Sequence, residues 1–256
     1  MPDRTLDREA GTGATAQPAC LVPLGENSRM QADRSTRIAH RMVIAAIVGV
    51  ATLLPGAGTA GSATLPPVLL VHGFRGSPSA FDTMAARLAR DGREVHAIAL
   101  PGQDNIVNAR AIRDFAVAHH LRRVDVVAHS MGGLSSRWFA RYLRGNISIA
   151  HYVALGTPQY GLWATCAAPL DYGGQMCPDG AFLRKLNTGD DTPGTTRYTS
   201  ISSADDGIVP TSSSRLDGGA CLVRDRGVTH GGLLSDARVY QQVVRSLNGR
   251  CPPAFD

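Results

Sequence analysis

The chain has 256 residues, of which 43% are hydrophobic and 18% are charged, as in ordinary globular proteins. Its formal net charge is +5, but the arginines are scattered and Lys185 is the single lysine in the sequence. Nucleic-acid-binding chains concentrate positive charge in patches or runs, so we expect no nucleic-acid partner. The length allows one large α/β domain or two small ones.

The first 63 residues differ in composition from the rest. Residues 1–36 mix Gly, Ala, Asp, Arg and Pro without periodicity, so we expect them to be disordered or to be an upstream extension. Residues 37–63 have basic residues before an apolar core, Met42 to Leu54, and then a tail of small residues, which is the pattern of a secretory signal peptide. The apolar core is shorter than the roughly 20 residues that span a bilayer, which disfavours a membrane anchor. We therefore predict a secreted protein whose folded domain covers residues 64–256.

From Leu65 onward, short apolar segments alternate with segments of helical periodicity. The predicted strands are residues 67–72, 94–100, 124–128, 150–155, 197–203 and 221–224. The predicted helices are residues 79–91, 108–120, 134–143 and 235–247. This order predicts a single α/β domain with a mostly parallel sheet of about six strands and helices on both faces.

The third predicted strand runs into the sequence A-H-S-M-G, residues 128–132, just before a predicted helix. A serine between small residues at a strand-to-helix turn is typical of a nucleophile elbow, because the turn projects the hydroxyl away from the backbone toward a base. Ala128 stands where the usual pattern has glycine. Ser130 is therefore the candidate nucleophile, and the alternative is an ordinary strand-to-helix junction. We expect the neighbouring His129 to point away from the pocket.

Two histidines follow Ser130 in the sequence. Catalytic groups of parallel α/β sheets collect at the carboxyl ends of the strands. His151 opens a strand at its amino end, whereas His230 follows the last strand. His230 is therefore the candidate base, with a solvated loop histidine as the alternative.

The acid that orients such a histidine lies between the serine and the histidine in this chain order. No glutamate follows Glu94, and the fifth predicted strand ends in A-D-D-G, which contains Asp205 and Asp206. Neighbouring residues point in different directions at a strand end. Only one of the two aspartates can therefore orient the imidazole, and their positions leave the choice open.

An oxyanion hole in this arrangement uses the backbone N–H after the nucleophile and another beyond the first strand. Met131 and Phe74 occupy these positions. Beyond Cys20, the four cysteines are even in number and form no C-x-x-C pair, which favours disulfides over a metal site. Of the three pairings, we favour Cys166–Cys177 and Cys221–Cys251.

The segments VLLVHGF, VDVVAHSMGG, TSISSADDGIV, SRLDG and GVTHGGLL resemble secreted bacterial lipases of the small, lidless α/β-hydrolase type, the lipase class 2 family. The resemblance covers roughly residues 65–250 and implies a single-domain minimal α/β-hydrolase fold. The family's spacing selects Asp206 over Asp205. The implied triad and oxyanion residues are Ser130, Asp206, His230, Phe74 and Met131.

Members of this family hydrolyse triacylglycerols and simpler carboxylic esters without a metal cofactor. The resemblance therefore implies a lipid or small-ester substrate, no cofactor, transient contact with lipid surfaces, and action as a monomer. Acyl transfer to an alcohol is an alternative that the sequence leaves open. A catalytically inactive, exported binding module of the same fold is the non-enzymatic alternative.

The chain departs from the smallest family members between Gln159 and Lys185, where it is longer and carries two cysteines. Leu162 and Trp163 are the substrate-binding candidates in this segment. Leu170, Tyr172 and Met176 are further candidates for an acyl groove, and the alternative is a loop that packs on its own disulfide. Glycines and prolines interrupt the segment, so we predict no lid helix in it.

Overall fold

The computed structural model of the protein describes residues 65–256. These residues form a six-stranded parallel sheet with the strand order β2-β1-β3-β4-β5-β6. The strands are β1 (Val68–Val71), β2 (Val95–Ile98), β3 (Arg123–His129), β4 (Ser148–Leu155), β5 (Arg197–Ser203) and β6 (Cys221–Asp225). The predicted extension, residues 1–36, and the predicted signal peptide, residues 37–63, lie outside the described residues.

The helices of the described residues are α1 (Asp82–Arg90), α2 (Asn105–Ala118), α3 (Met131–Trp138), α4 (Ala181–Leu186), α5 (Thr211–Ser214) and α6 (Ala237–Leu247). All the predicted strands and helices are present, with shifted ends. Helix α2 begins three residues before its predicted start because the Asp104 side chain accepts hydrogen bonds from the N–H groups of Ile106 and Val107. Helix α3 begins directly after Ser130 and continues as one π-helical turn, Phe139–Leu143.

The helices cover both faces of the sheet, as the order of the elements predicts. Alternate residues of β1 contribute to two separate clusters of buried side chains. Val68 and Leu70 belong to the cluster that contains residues of α1 and α6, whereas Leu69 and Val71 belong to the cluster with α2 and α3. Because the helices cover the faces of the sheet, loops can form a site at the carboxyl ends of the strands. Within residues 65–256, no helix is both long enough and apolar enough to span a bilayer.

Both predicted disulfides are confirmed. Cys166 and Cys177 are joined with their Cα atoms 4.5 Å apart. Cys221 and Cys251 are joined with their Cα atoms 5.6 Å apart, which ties the start of β6 to the C-terminal segment. The segment between Gln159 and Lys185 contains three short 3₁₀ turns and the beginning of the six-residue helix α4, but no helix of lid length.

The side chain of Arg137, on α3, contacts Gln159 at the start of this segment and two residues that follow its end. The Arg137 guanidinium lies 2.9 Å from Asp191 Oδ1, and both side chains are almost fully buried. Arg137 also donates to Gln159 Oε1 at 3.2 Å and to Asn187 Oδ1 at 2.9 Å. Tyr160 OH donates to the other carboxylate oxygen of Asp191 at 2.6 Å. One guanidinium therefore joins the first residue of the segment to Asn187 and Asp191, which follow the segment in the chain.

Replacing Arg137 with Met should lower the free energy of unfolding by about 3–5 kcal/mol, because it leaves the Asp191 carboxylate buried without its partner. Urea denaturation measures this loss. R113M removes an exposed ion pair with Asp114 and is the matched control, with an expected loss under about 1 kcal/mol. Equal losses in the two variants would contradict the role of the buried pair.

A second buried carboxyl group holds the C-terminal segment. Asp225 Oδ1 accepts hydrogen bonds from Gln242 Nε2 at 2.8 Å and from the Phe255 N–H at 3.0 Å. Among the described residues, Asp225 Oδ2 and Gln242 Oε1 are buried acceptors without a hydrogen-bond partner. Burial raises the pKa of Asp225 above its ordinary value, although these two hydrogen bonds oppose the shift. The folded state therefore binds this proton more tightly than the unfolded chain does.

The raised pKa predicts that ionisation of Asp225 destabilises the fold as the pH rises above the unfolded-state pKa. Asp225→Asn carries no charge and keeps a carbonyl oxygen that can accept the hydrogen bonds from Gln242 and Phe255. It should raise the free energy of unfolding by about 1–3 kcal/mol at pH 7, because a buried polar atom without a partner costs about that much. Thermal unfolding from pH 3 to pH 7 should show this gain growing with pH, whereas the exposed control D171N should show none. A gain that is constant with pH would contradict the assignment.

Candidate active site

Ser130 lies at the junction of β3 and α3 in a strained backbone conformation. Its φ is 54° and its ψ is −132°. Within residues 65–256, the other non-glycine residues with positive φ are Arg75 and His120. Such conformations cost about 1–3 kcal/mol and persist where the surrounding structure enforces them, often at functional sites. A turn with this conformation would present the Ser130 hydroxyl to a substrate.

Glycines on both sides of the turn permit its close packing. A Cβ atom added to Gly132 would lie 2.2 Å from the carbonyl oxygen of His72, at the end of β1. A Cβ added to Gly73 would lie 2.6 Å from Ser130 Cβ and 3.2 Å from Ser130 Oγ. The loop after β1 thus lies directly against the serine, and only glycine allows this approach.

Asp206 and His230 form a hydrogen-bonded pair at the carboxyl ends of β5 and β6. His230 Nδ1 lies 2.9 Å from Asp206 Oδ2, and the His230 N–H donates to the Asp206 carbonyl at 2.8 Å. The other carboxylate oxygen accepts from the N–H groups of Ile208 at 3.0 Å and Val209 at 2.6 Å. Asp205 is exposed, and its carboxylate accepts from the Gly227 N–H at 2.8 Å. The structure therefore brings Asp206, and not Asp205, to His230.

The hydrogen bonds determine the charge of Asp206. Burial alone raises the pKa of Asp206, but the hydrogen bond from His230 and those from Val209 and Ile208 outweigh it. The net result is a pKa below the ordinary value, so Asp206 is ionised at neutral pH. Because a carboxylate only accepts hydrogen bonds, His230 carries its proton on Nδ1. The neutral imidazole then has an unprotonated Nε2, as a general base requires.

The two oxyanion candidates lie on either side of the elbow. Phe74 follows Gly73, which packs against Ser130, and Met131 is the first residue of α3. Across the described part of the chain, neither backbone N–H donates to another residue. Both groups are therefore available to an external acceptor. Two such donors are what a developing oxyanion requires.

The structure does not join the nucleophile candidate to the base candidate directly. In the region from residue 65 to 256, Ser130 Oγ makes no hydrogen bond to His230, and each residue has 9% of its surface exposed. Such contacts are often long in unliganded sites and tighten when substrate binds. His151 lies elsewhere, because it contacts Asp125 at 2.8 Å within the sheet.

His129 is the site residue whose environment the sequence does not reveal. Its side chain, which we expect to point away from the pocket, is buried, and its ring centroid lies 4.4 Å from that of His230. The one sequence signal was its position next to Ser130. Its partner is 101 residues away in the chain, so spacing carries no information about the contact.

Leu162 and Trp163 line a cleft of about 610 Å³ whose lining residues do not include Ser130, Asp206 or His230. Its other apolar walls include Ile208 and Pro210, which follow Asp206 in the chain. Trp163 has 69% of its surface exposed and Ile208 has 61%. Of the further groove candidates, Met176 is buried, and the Tyr172 ring lies 4.8 Å from the Arg75 guanidinium; neither lines this cleft.

Residues 68–245 match the alpha/beta hydrolase family. The chain belongs to this family. This α/β hydrolase has the order of elements expected for the fold. It has a parallel sheet, a serine at the elbow after β3 and a histidine after β6.

Three solved structures illustrate the similarity of this α/β hydrolase to other proteins. The mature form of the Bacillus licheniformis lipase BlEst2 has a TM-score of 0.58 at 19% identity, over 72% of this chain and 93% of the lipase. The product of the gene lin2722 from Listeria innocua has a TM-score of 0.57 at 18% identity, over 75% of this chain and 98% of that one. A thermophilic esterase from Thermogutta terrifontis has a TM-score of 0.53 at 17% identity, over 74% and 92% of the two chains. At these identities, the likeness is one of fold.

The contrast between the two aspartates is directly testable. Asp206→Asn should lower kcat/KM on an ester by about 10⁴-fold, because the amide no longer fixes the Nδ1–H tautomer of His230. Asp205→Asn should change it less than threefold, since Asp205 contacts a backbone N–H and not the imidazole. Steady-state hydrolysis of a chromogenic ester by both variants measures the difference. Comparable losses would contradict the assignment of Asp206.

Proposed function

We propose that this α/β hydrolase is a secreted serine ester hydrolase of the lipase class 2 type, acting on lipid or small carboxylic esters. The observation that carries the proposal is the ionised Asp206 beside His230, at the same edge of the sheet as the strained Ser130. Two disulfides among the described residues suit an oxidising, extracellular location.

In the proposed mechanism, His230 Nε2 removes the Ser130 proton as Oγ attacks the ester carbonyl carbon. The N–H groups of Phe74 and Met131 stabilise the resulting oxyanion. Asp206 stabilises the imidazolium, which then protonates the departing alcohol. Water, deprotonated by His230, hydrolyses the acyl group from Ser130 and restores the free enzyme.

The cleft beside Leu162 and Trp163 is proposed to bind the apolar part of the ester. Its walls are mainly apolar, and Ile208, another of its lining residues, donates its backbone N–H to the carboxylate of Asp206. One lining residue of the cleft is therefore hydrogen-bonded to the proposed catalytic acid. Hydrogen bonds from Ser213 Oγ to the Gly161 carbonyl and from the Tyr160 N–H to the Ser213 carbonyl join lining residues of the cleft to one another.

Contact with a lipid surface is proposed through the same loops. The exposed side chains of Trp163 and Ile208 stand at the rim of the cleft, and large exposed apolar groups at a rim are typical of interaction sites. The disulfide between Cys166 and Cys177 and the hydrogen bond from Arg137 to Gln159 hold the segment that carries Trp163. We therefore propose that the segment is a fixed wall of an open site.

Ser130→Ala and His230→Ala should each reduce ester hydrolysis by roughly 10⁵- to 10⁶-fold while the thermal midpoint stays within a few degrees, because these residues act as a unit. A chromogenic butyrate ester gives the rate. His119→Ala, an exposed histidine at the end of α2, is the matched control and should keep full activity. Substantial turnover by Ser130→Ala would contradict the mechanism.

Removing the Trp163 side chain from the cleft should change which acyl chain length of the ester is preferred. Trp163→Ala should lower kcat/KM for octanoate esters by about tenfold, the effect of roughly 1.4 kcal/mol of lost apolar contact, and leave acetate esters within twofold. Leu222→Ala, which removes an exposed apolar side chain on β6, is the control and should leave both rates unchanged. An equal effect on acetate and octanoate would overturn the proposed binding role of the cleft.

A further inference from the structure

His230 is held at several points, of which the carboxylate of Asp206 is one. Its backbone N–H donates to the Asp206 carbonyl at 2.8 Å, and its Nδ1 lies 2.9 Å from the Asp206 carboxylate. Its own carbonyl oxygen lies 2.9 Å from His129 Nε2, and its ring lies against the His129 ring at 4.4 Å between centroids. The ring atom that these contacts leave uncommitted is Nε2, the atom that would receive the serine proton.

His129 ends strand β3, the strand that also leads to Ser130. It is paired with Leu155 of β4, in the middle of the parallel sheet, and is 7% exposed. His230, in contrast, lies in the loop between β6 and α6, at the far end of the sheet order. The contact between the two histidines therefore ties the base loop to the strand that carries the nucleophile.

The contact with the His230 carbonyl requires His129 to be a donor, and its burial favours the neutral form. A carbonyl oxygen only accepts hydrogen bonds, so His129 Nε2 carries the proton. Burial, and next the nearby His230, lower the pKa of His129 to about 4. The charged and titratable groups that face it are His230 and Asp206. At neutral pH, His129 thus donates to His230 without placing a positive charge beside the imidazolium that forms during catalysis.

We infer that His129 is a positioning residue. From β3, the strand that leads to Ser130, it fixes the position of His230 and therefore the distance between His230 Nε2 and Ser130 Oγ. Asp206 controls the tautomer and one edge of the imidazole, whereas His129 holds the backbone carbonyl and one ring face. This inference rests on the proposed ester hydrolysis. Loss of the contact should slow the chemical step and leave substrate binding unchanged, because His129 does not line the cleft.

Two variants separate the hydrogen bond from simple packing. His129→Leu fills much of the space but donates no hydrogen bond, and we expect kcat to fall about 10- to 100-fold with KM within twofold. His129→Gln keeps a side-chain N–H near the position of Nε2 and should stay within threefold of the wild-type kcat. A KM effect alone, or equal losses of kcat in both variants, would overturn the inference. So would an unchanged kcat in His129→Leu.

A second measurement does not depend on activity. Nitrogen-15 NMR of the wild-type histidine side chains at pH 7 should show His129 as the neutral Nε2–H tautomer, and its signal should disappear in His129→Gln. The Nδ1–H tautomer would overturn the inference even if His129→Leu fails to fold. If the wild-type protein hydrolyses no ester, the proposed function fails, and the NMR result still decides whether His129 Nε2 carries the proton that the contact with His230 requires.

Discussion

The strained backbone at Ser130 is the constraint on which the site depends. The Ser130 N–H donates to the Leu155 carbonyl at 2.9 Å, and Ala128 stands in register between Val71 of β1 and Ala154 of β4. Parallel strands on both sides therefore fix the end of β3, and α3 must start at once in a different direction. The sheet offsets the cost of positive φ, which is of the order of 1–3 kcal/mol.

The rest of the site is fastened to this edge by polar contacts between elements that are distant in sequence. His230 contacts Asp206 after β5 and His129 at the end of β3. Arg137, from the helix that the elbow begins, holds the segment that forms one wall of the cleft. Each contact pairs a charged or strongly polar group with a buried partner, so its loss would leave a buried group unsatisfied. This arrangement suits catalysis, which depends on groups that are preorganised before the substrate arrives.

Local sequence patterns were sufficient for most of the fold. Strands buried on both faces are short apolar segments, and the four longer helices have clear periodicity, so both could be predicted. Helix α4 has six residues and α5 has four, too few for a periodic pattern, and both were missed. The choice between Asp205 and Asp206 needed the family resemblance, because adjacent residues share the same local signals. The contacts of His129 and Arg137 depend on tertiary packing, which no local pattern encodes.

Covalent labelling with a p-nitrophenyl alkylphosphonate tests whether Ser130 is an activated nucleophile, since a serine activated by a histidine displaces p-nitrophenolate and forms a stable phosphonyl ester. We expect release of about one p-nitrophenolate per chain, with mass spectrometry of the digested protein placing the phosphonyl group on the peptide that contains Ser130. We also expect the Ser130→Ala protein to stay unlabelled. No label, or a label on another residue at the same rate in both proteins, would contradict the role of Ser130.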